Sequence, residues 1–384
     1  MKIKTKEKVE FGEIAERSKP RYNPVKNEEN YPCIELEHID QETVILLGYV
    51  DSKSQKSIKN KFEKGDVLFG KLRPYLRKFI KAPFDGVCSS EIWVLKGKKV
   101  TNDYLLYLIQ SSKFNFEVNQ TSGSKMPRAD WDYISNISFT VPTKDEQQKI
   151  ASFLTSVDNK IQQLSRKKQL LEQYKKGVMQ KIFKQEIRFK DDDGNVFPEW
   201  EKRKLGELTY KVGKKNKNNI QYQIYSINNQ EGFRPQSEQF EGLDSNDRGY
   251  DISLYKIVND KTFAYNPARI NVGSIGYSYN LDTVIISSLY VCFKTKDILE
   301  DIYLLAYLDT DKFKKDILRF EEGGVRQYLF YENFSQIKIP LPCNKEQVKI
   351  ASFLKSINTK ITHVNTQIDK SKEWKKGLLQ KMFV

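Results

Sequence analysis

EQQKIASFL at 146–154 and EQVKIASFL at 346–354 open two stretches of sequence that align without a gap. The offset is 200 residues, and across 144–183 against 344–383 it leaves 17 of 40 positions identical, far beyond chance. A repeat of this kind governs how every other feature is interpreted.

Each copy is free of proline and reads as one long helix, with Thr143 and Glu146 forming a candidate capping box in the first. Alternating steps of three and four residues pick out Leu154, Val157, Ile161, Leu164, Lys168, Leu171, Lys175, Val178 and Ile182. The second copy gives Leu354, Ile357, Ile361, Val364, Ile368, Ser371, Lys375, Leu378 and Met382. Seven of nine positions are apolar in each, which is heptad spacing and predicts a coiled coil. Forty residues at the helical rise make a rod of roughly 60 Å. Two such rods in one chain satisfy each other most economically, through the pairing residues Leu154, Val157, Ile161 and Leu164 on one and Leu354, Ile357, Ile361 and Val364 on the other. The pair is antiparallel if the globular parts lie at opposite ends.

The offset continues upstream, more loosely. Tyr107 faces Tyr307, Gly123 faces Gly323 and Pro142 faces Pro342, while Ser89 pairs with Ser287 after a drift that marks loop insertions. The chain is therefore globular domain, helix, globular domain, helix. The boundaries are 1–142 and 143–183, then a linker and second domain over 184–342, then 343–384. The fold class is α+β: 87–95 and 283–293 are rich in β-branched and aromatic residues and predict strands, and 104–114 and 302–313 have helical spacing. IKIPLP at 337–342 predicts a last strand feeding the second helix. Lys184 to Trp200 is charged and turn-rich.

Net charge is +15, but residues 184–343 carry −1, while 144–183 and 344–384 carry +5 and +6. Such a basic chain suggests a polyanion, most often nucleic acid. The 39% hydrophobic content fits a soluble protein, no apolar run is long enough to span a bilayer, and the charged N-terminus lacks a signal core. The scattered cysteines Cys33, Cys88, Cys292 and Cys343 show no CxxC pair and imply reduced thiols and a cytoplasmic location.

No self-contained catalytic site emerges. GDVLFGKL at 65–72 ends in Leu72 where a phosphate-binding loop needs a hydroxyl, and Pro74 follows where its helix should begin. YNPV at 22–25 and YNPA at 265–268 fall short of an amino-methyltransferase signature and predict turns. DDDG at 191–194 lacks the alternation that converges carboxylates on one ion, and the two histidines, His38 and His363, are too few for a histidine-based zinc site.

With the repeat laid out, the chain resembles a type I restriction-modification specificity subunit over nearly its whole length. The resemblance is carried by the two EQxKIASFL openings, each after a proline-containing strand, and by the KKGxxQKxF endings at 175–183 and 375–383. GDVLFGKLRPYLRK at 65–78, SGSKMPRADW at 122–131, YNPARINVGSIG at 265–276, GGVRQYL at 323–329 and FPEWEKRKLGEL at 197–208 support it. The resemblance implies two target-recognition domains, each reading half of a split double-stranded DNA site, on paired helices that dock two methyltransferase subunits. Two motor-nuclease subunits can then join. This chain would be no enzyme and bind no cofactor, with S-adenosylmethionine, ATP and magnesium held by the partners; it would carry no metal site and meet no membrane. The other reading of the same features is a coiled-coil scaffold whose globular domains bind protein or RNA.

Readers of DNA hold phosphates with Lys and Arg and read base edges with Arg, Asn, Gln, Ser or Thr. The candidates in the first domain are Lys71, Arg73, Arg77 and Lys78, with Ser124, Lys125 and Arg128. In the second they are Asn266, Arg269 and Asn271, with Arg326 and Gln327. Readers one DNA turn apart lie roughly 34 Å from centre to centre.

Overall fold

The computed structural model describes residues 7–120, 126–229, 232–239, 242–324 and 326–383. Two compact units result. One runs to Lys167 and takes up the chain again from Val364; the other is Lys168–His363.

In the first unit, Glu7–Glu10 pairs antiparallel with Ser138–Val141, Glu7 opposite Val141, so the first and last strands of the domain lie side by side. A four-stranded antiparallel sheet follows the order Ala15–Arg17, Ile92–Gly97, Val67–Gly70, Phe79–Lys81. A five-stranded sheet follows the order Arg21–Tyr22, Lys59–Phe62, Gly86–Cys88, Pro32–Ile34, Val50–Asp51, and its one parallel pair sets Cys33 opposite Val87. Phe11, Phe69, Trp93, Tyr104, Tyr107, Phe114 and Phe139 make a buried aromatic core that also takes in Leu154 and Leu379 from the two long helices. Burying side chains of this size contributes roughly 1.5–3 kcal/mol each.

The second unit repeats the plan. Glu201–Lys204 pairs with Lys338–Leu341, and a four-stranded sheet runs Thr209–Val212, Val291–Thr295, Phe263–Tyr265, Ile275–Tyr277. The other sheet runs Gly232–Pro235, Ile224–Asn228, Val284–Ile286, Lys256–Val258, again with one parallel pair, Ile224 opposite Ile285. Phe263, Tyr265, Phe293, Tyr303, Tyr307, Phe313 and Phe334 form its core, joined by Met179, Ile182 and Leu354 of the long helices. Apart from the extra edge strand Arg21–Tyr22, the two domains share strand order and pairing sense, while their loops differ.

Several elements are more broken than the sequence suggests. The strand expected over 87–95 is two strands in different sheets, turned at Ser89, whose carbonyl accepts from Ile92 N (3.0 Å). The same corner splits 283–293 at Ser287. The helical stretches split as well, because a hydroxyl starts a new helix within each: Ser111 caps Ser112–Val118 and Thr310 caps Asp311–Phe320.

The long helices are Lys144–Phe183 and Asn344–Met382. The expected capping box does not form, since Glu146 Oε2 is buried without a hydrogen-bond partner. Gln147 anchors the start instead, donating to the Pro142 carbonyl (3.0 Å) and accepting from Thr101 N (3.3 Å). Gln347 does the same with Pro342 (2.9 Å) and Glu300 N (2.9 Å). Of the candidate pairing residues, Leu154, Val157, Ile161, Leu164, Leu354, Ile357 and Val364 are buried and Ile361 is half-buried. Within the first unit the start of the first helix meets the end of the second: the Phe153 and Trp374 rings lie 5.7 Å apart and Lys375 ion-pairs with Asp158. Within the second unit the roles exchange, and Met179 and Ile182 share a cluster with Leu354 and Ile357.

The stretch before the second domain is packed rather than free. Arg188 grips both carboxylate oxygens of Glu346 (3.2 and 2.9 Å), which also accepts from Trp200 Nε1 (2.8 Å). DDDG is a turn in which Asp191 Oδ1 accepts from Asp193 N and Asn195 N.

Candidate nucleic-acid interface

In the first domain the strand Val67–Gly70 runs out into a short 3-10 turn, Pro74–Leu76. The residues on either side of that turn, Arg73 and Arg77, have left-handed backbone, with φ of 51° and 50°. Each such non-glycine residue costs on the order of 1 kcal/mol, so the surroundings must hold it. They do: Arg73 N donates to the Pro127 carbonyl (2.8 Å), Ala129 N to the Lys71 carbonyl (2.9 Å) and Glu42 N to the Arg77 carbonyl (3.0 Å). Leu72 and Arg128 form an isolated bridge. The two stretches singled out in the sequence, 71–78 and 126–128, therefore come together as one surface. Ser124 and Lys125 lie outside the described residues.

The cations on this surface differ in freedom. Glu91 organises two of them, receiving Arg128 on both oxygens (3.0 and 3.2 Å) and standing 3.8 Å from Lys71. That pairing raises the Arg128 pKa, through the hydrogen bond first and the charge of Glu91 second. Arg77 is turned inward, donating to the Gln110 carbonyl (3.1 Å) with Glu42 at 3.5 Å. Lys78 donates to the Leu36 carbonyl (2.7 Å). Arg73 is exposed, and its guanidinium has no hydrogen bond or ion pair among the described residues. Tyr75, at the tip of the turn, is 53% exposed. Nothing in the sequence points to Glu91 or Tyr75; an acid opposite two basic stretches becomes visible only once the strands are paired.

In the strand leading into this loop the last backbone amides are committed inside the domain. Gly70 N donates to Lys78 O and Lys71 N to Glu91 O, so these amides are already engaged.

In the second domain Phe263–Tyr265 runs into another 3-10 turn, Ile270–Val272. Asn266 closes the approach, its Oδ1 accepting from Ala268 N (3.0 Å), the turn expected of Asn-Pro. Leu329 N donates to the Pro267 carbonyl (3.0 Å), which brings the 322–328 hairpin alongside. Gln327 folds onto its own hairpin, donating to Gly323 O (2.8 Å), where the glycine φ of 132° suits no other residue type. Arg269 and Arg326 are both exposed, with no side-chain hydrogen bond or ion pair among the described residues. Asn271 is exposed and also borders a cavity of about 660 Å³ shared with Lys175 and Asn358.

Among the described residues no group of three or more His, Cys, Asp or Glu is placed to hold a metal ion, and no helix is long and apolar enough to cross a membrane. All four cysteines are free.

The fold and these surfaces define a duplicated protein with two related domains, each presenting a loop cluster with free cations beside its four-stranded sheet. The family model for the type I restriction modification DNA specificity domain matches residues 2–173 and 198–371, once per repeat. The chain belongs to this family. It is 28% identical over 311 residues to the type I restriction enzyme MjaVIII specificity subunit of Methanocaldococcus jannaschii, covering 75% of this chain and 72% of that protein. It is 26% identical over 381 residues to the putative MjaX specificity subunit of the same organism, covering 91% and 86%. In fold it is similar to a chain solved in work on the complex assembly and conformational transition of the type I R-M system, with a TM-score of 0.61 at 17% identity, covering 99% and 98% of the two chains.

Proposed function

We propose that the chain supplies the address in a type I restriction-modification complex. Each domain reads one half of a bipartite, asymmetric DNA site, and the long helices pair as an antiparallel coiled coil that docks two methyltransferase subunits, through which motor-nuclease subunits join. Methylation and cleavage, with their S-adenosylmethionine, ATP and magnesium, belong to those partners. The observation that carries this reading is the coexistence of one repeated skeleton with unlike loops. Strand order and the glutamine helix anchors recur, while Tyr75, Arg77 and Arg128 on one loop surface stand against Asn271, Gly273 and Tyr328 on the other. Shared parts suit a common assembly, and unlike loops suit unlike half-sites.

Docking is supported by a second pair of features. Tyr174 and Trp374 occupy the same place in the two helices and are 53% and 54% exposed, large amphipathic rings of the kind that anchor protein interfaces. The test is to co-purify the full chain with its cognate methyltransferase and map methylated adenines on genomic DNA. One split motif with two methyltransferases per chain is the expected outcome. A complex that does not form, or methylation without a motif, favours the scaffold reading.

A further inference from the structure

The repeat offset of 200 residues sets Arg73 opposite Gly273 and Arg269 opposite Phe69, so the sequence alone aligns neither arginine with the other. The folded domains do. In the first, the Lys71 carbonyl accepts from Ala129 N, and two residues later Arg73 immediately precedes the 3-10 turn Pro74–Leu76. In the second, the Pro267 carbonyl accepts from Leu329 N, and two residues later Arg269 immediately precedes the 3-10 turn Ile270–Val272. Ala129 and Leu329 are themselves repeat partners. Both turns close on a left-handed residue, Arg77 at φ 50° and Gly273 at φ 92°. Arg73 and Arg269 therefore hold the same position in the two domains, although the backbone there differs, with φ of 51° against −137°.

We propose that Arg73 and Arg269 are equivalent phosphate clamps, one per domain, which fix each domain on duplex DNA without selecting its sequence. The inference rests on the DNA-reading proposal above and assigns a role within it. Two readers of different half-sites cannot owe their difference to a residue they share in kind and position. The differing neighbours must carry it: Tyr75 against Asn271, Arg128 against Tyr328, Met126 against Arg326. What a shared guanidinium offers every sequence is its charge and planar fork, which fit a phosphate diester. Freedom supports the assignment. Lys71, Arg77, Lys78 and Arg128 are tied to acids or carbonyls of their own domain, whereas the guanidinium groups of Arg73 and Arg269 have no hydrogen bond or ion pair among the described residues to give up. Arg326 is equally free but has no counterpart, since its repeat partner is Met126, and it falls among the residues that can discriminate.

The test uses the full chain assembled with its methyltransferase. The motif is first mapped with the unaltered chain on genomic DNA. Binding is then measured across a salt series to a duplex carrying that motif and to a scrambled duplex of equal length. R73A and R269A are each expected to weaken binding to both duplexes by a similar factor, to reduce the slope of log affinity against log salt by about 0.9, and to leave the motif unchanged. The double variant loses about twice that slope, and R73K, which keeps the charge, retains it. A relaxed or altered base in the motif of R73A or R269A overturns the clamp and makes the residue a reader. Unchanged affinity and slope with the motif intact overturns the clamp alone, while no motif from the unaltered chain overturns the DNA reading beneath it.

Discussion

Lys375 Nζ lies 2.7 Å from Asp158 Oδ1 inside the first unit, with only 7% of the lysine exposed. Gln110 Oε1 accepts a second hydrogen bond at 2.8 Å, and the Tyr107 hydroxyl donates to Asp158 Oδ2 at 2.9 Å. The repeat partners of this pair are Lys175 and Asn358, so only one copy is an ion pair, and in the other both residues border a cavity of about 660 Å³. Breaking a buried pair from one side leaves an uncompensated charge, and D158N should destabilise the first unit by about 3–5 kcal/mol. Tryptophan fluorescence during urea unfolding reads this unit well, because Trp93, Trp131 and Trp374 belong to it. N358D, which gives Lys175 a carboxylate, should be neutral or stabilising. A D158N change below about 0.5 kcal/mol, the range of an ordinary surface substitution, would mean that the pair is not what holds this site.

The pH dependence has a definite sign. Burial, the largest influence, lowers the Lys375 pKa from 10.5, so the native state sheds that proton before the unfolded chain does. The burial cost is present in full below the lowered value and is relieved as pH rises through it toward 10.5. D158N removes the charge that holds the proton on, so Lys375 sheds it at a still lower pH, and the deficit against the unaltered chain should narrow as pH rises toward the unaltered chain's lowered value and stay constant above it. A gap that widens there would contradict burial as the dominant influence.

Glu146 and Glu346 are identical by repeat and opposite in circumstance. Glu346 is fully buried and held by Arg188 and Trp200, whereas Glu146 Oε2 is buried with no partner. E346Q should cost about 3 kcal/mol, since it strands the Arg188 guanidinium, and E146Q should be neutral or slightly stabilising. Paired thermal melts of the two variants decide the matter, and equal effects would refute the asymmetry.

The long helices and the two-copy architecture were legible in sequence because EQxKIASFL and KKGxxQKxF recur at one offset and the heptad seam needs no tertiary information. Sheet order was not legible. Ser89 and Ser287 look like interior residues of one strand each, yet each turns the chain from one sheet to the other, a choice made by packing rather than propensity. The capping box failed for a related reason: Glu146 has the right spacing, but Gln147 is the residue facing the Pro142 carbonyl. At the loops, sequence found the basic residues and could not rank them. Arg77 and Arg73 look alike in LRPYLR until Glu42 and the Gln110 carbonyl claim one of them.

If Tyr174 and Trp374 anchor two copies of one partner, removing either ring should remove one copy. W374A and Y174A are each expected to give complexes with a single tightly held methyltransferase, and the double variant none, as read by mass photometry. Trp374 also packs edge-on against Phe153, so the melt of W374A serves as a control for folding. Two tightly bound partners on either single variant would move the docking surface elsewhere.

Half-site identity should change one domain at a time. Tyr75 and Arg326 are exposed, belong to different units and have no repeat partner of the same kind, Tyr75 matching Asn271 by loop position and Arg326 matching Met126 by offset. Y75A should therefore relax bases in one half of the methylated motif and R326A in the other, with about 1–3 kcal/mol of discrimination forfeited wherever the side chain reads a base. Because both side chains are at the surface, the variants should fold like the unaltered chain, and the readout is the methylation motif itself. A single substitution that alters both halves would mean the domains do not read independently. One that weakens all methylation evenly would place the residue on the DNA backbone, beside Arg73 and Arg269.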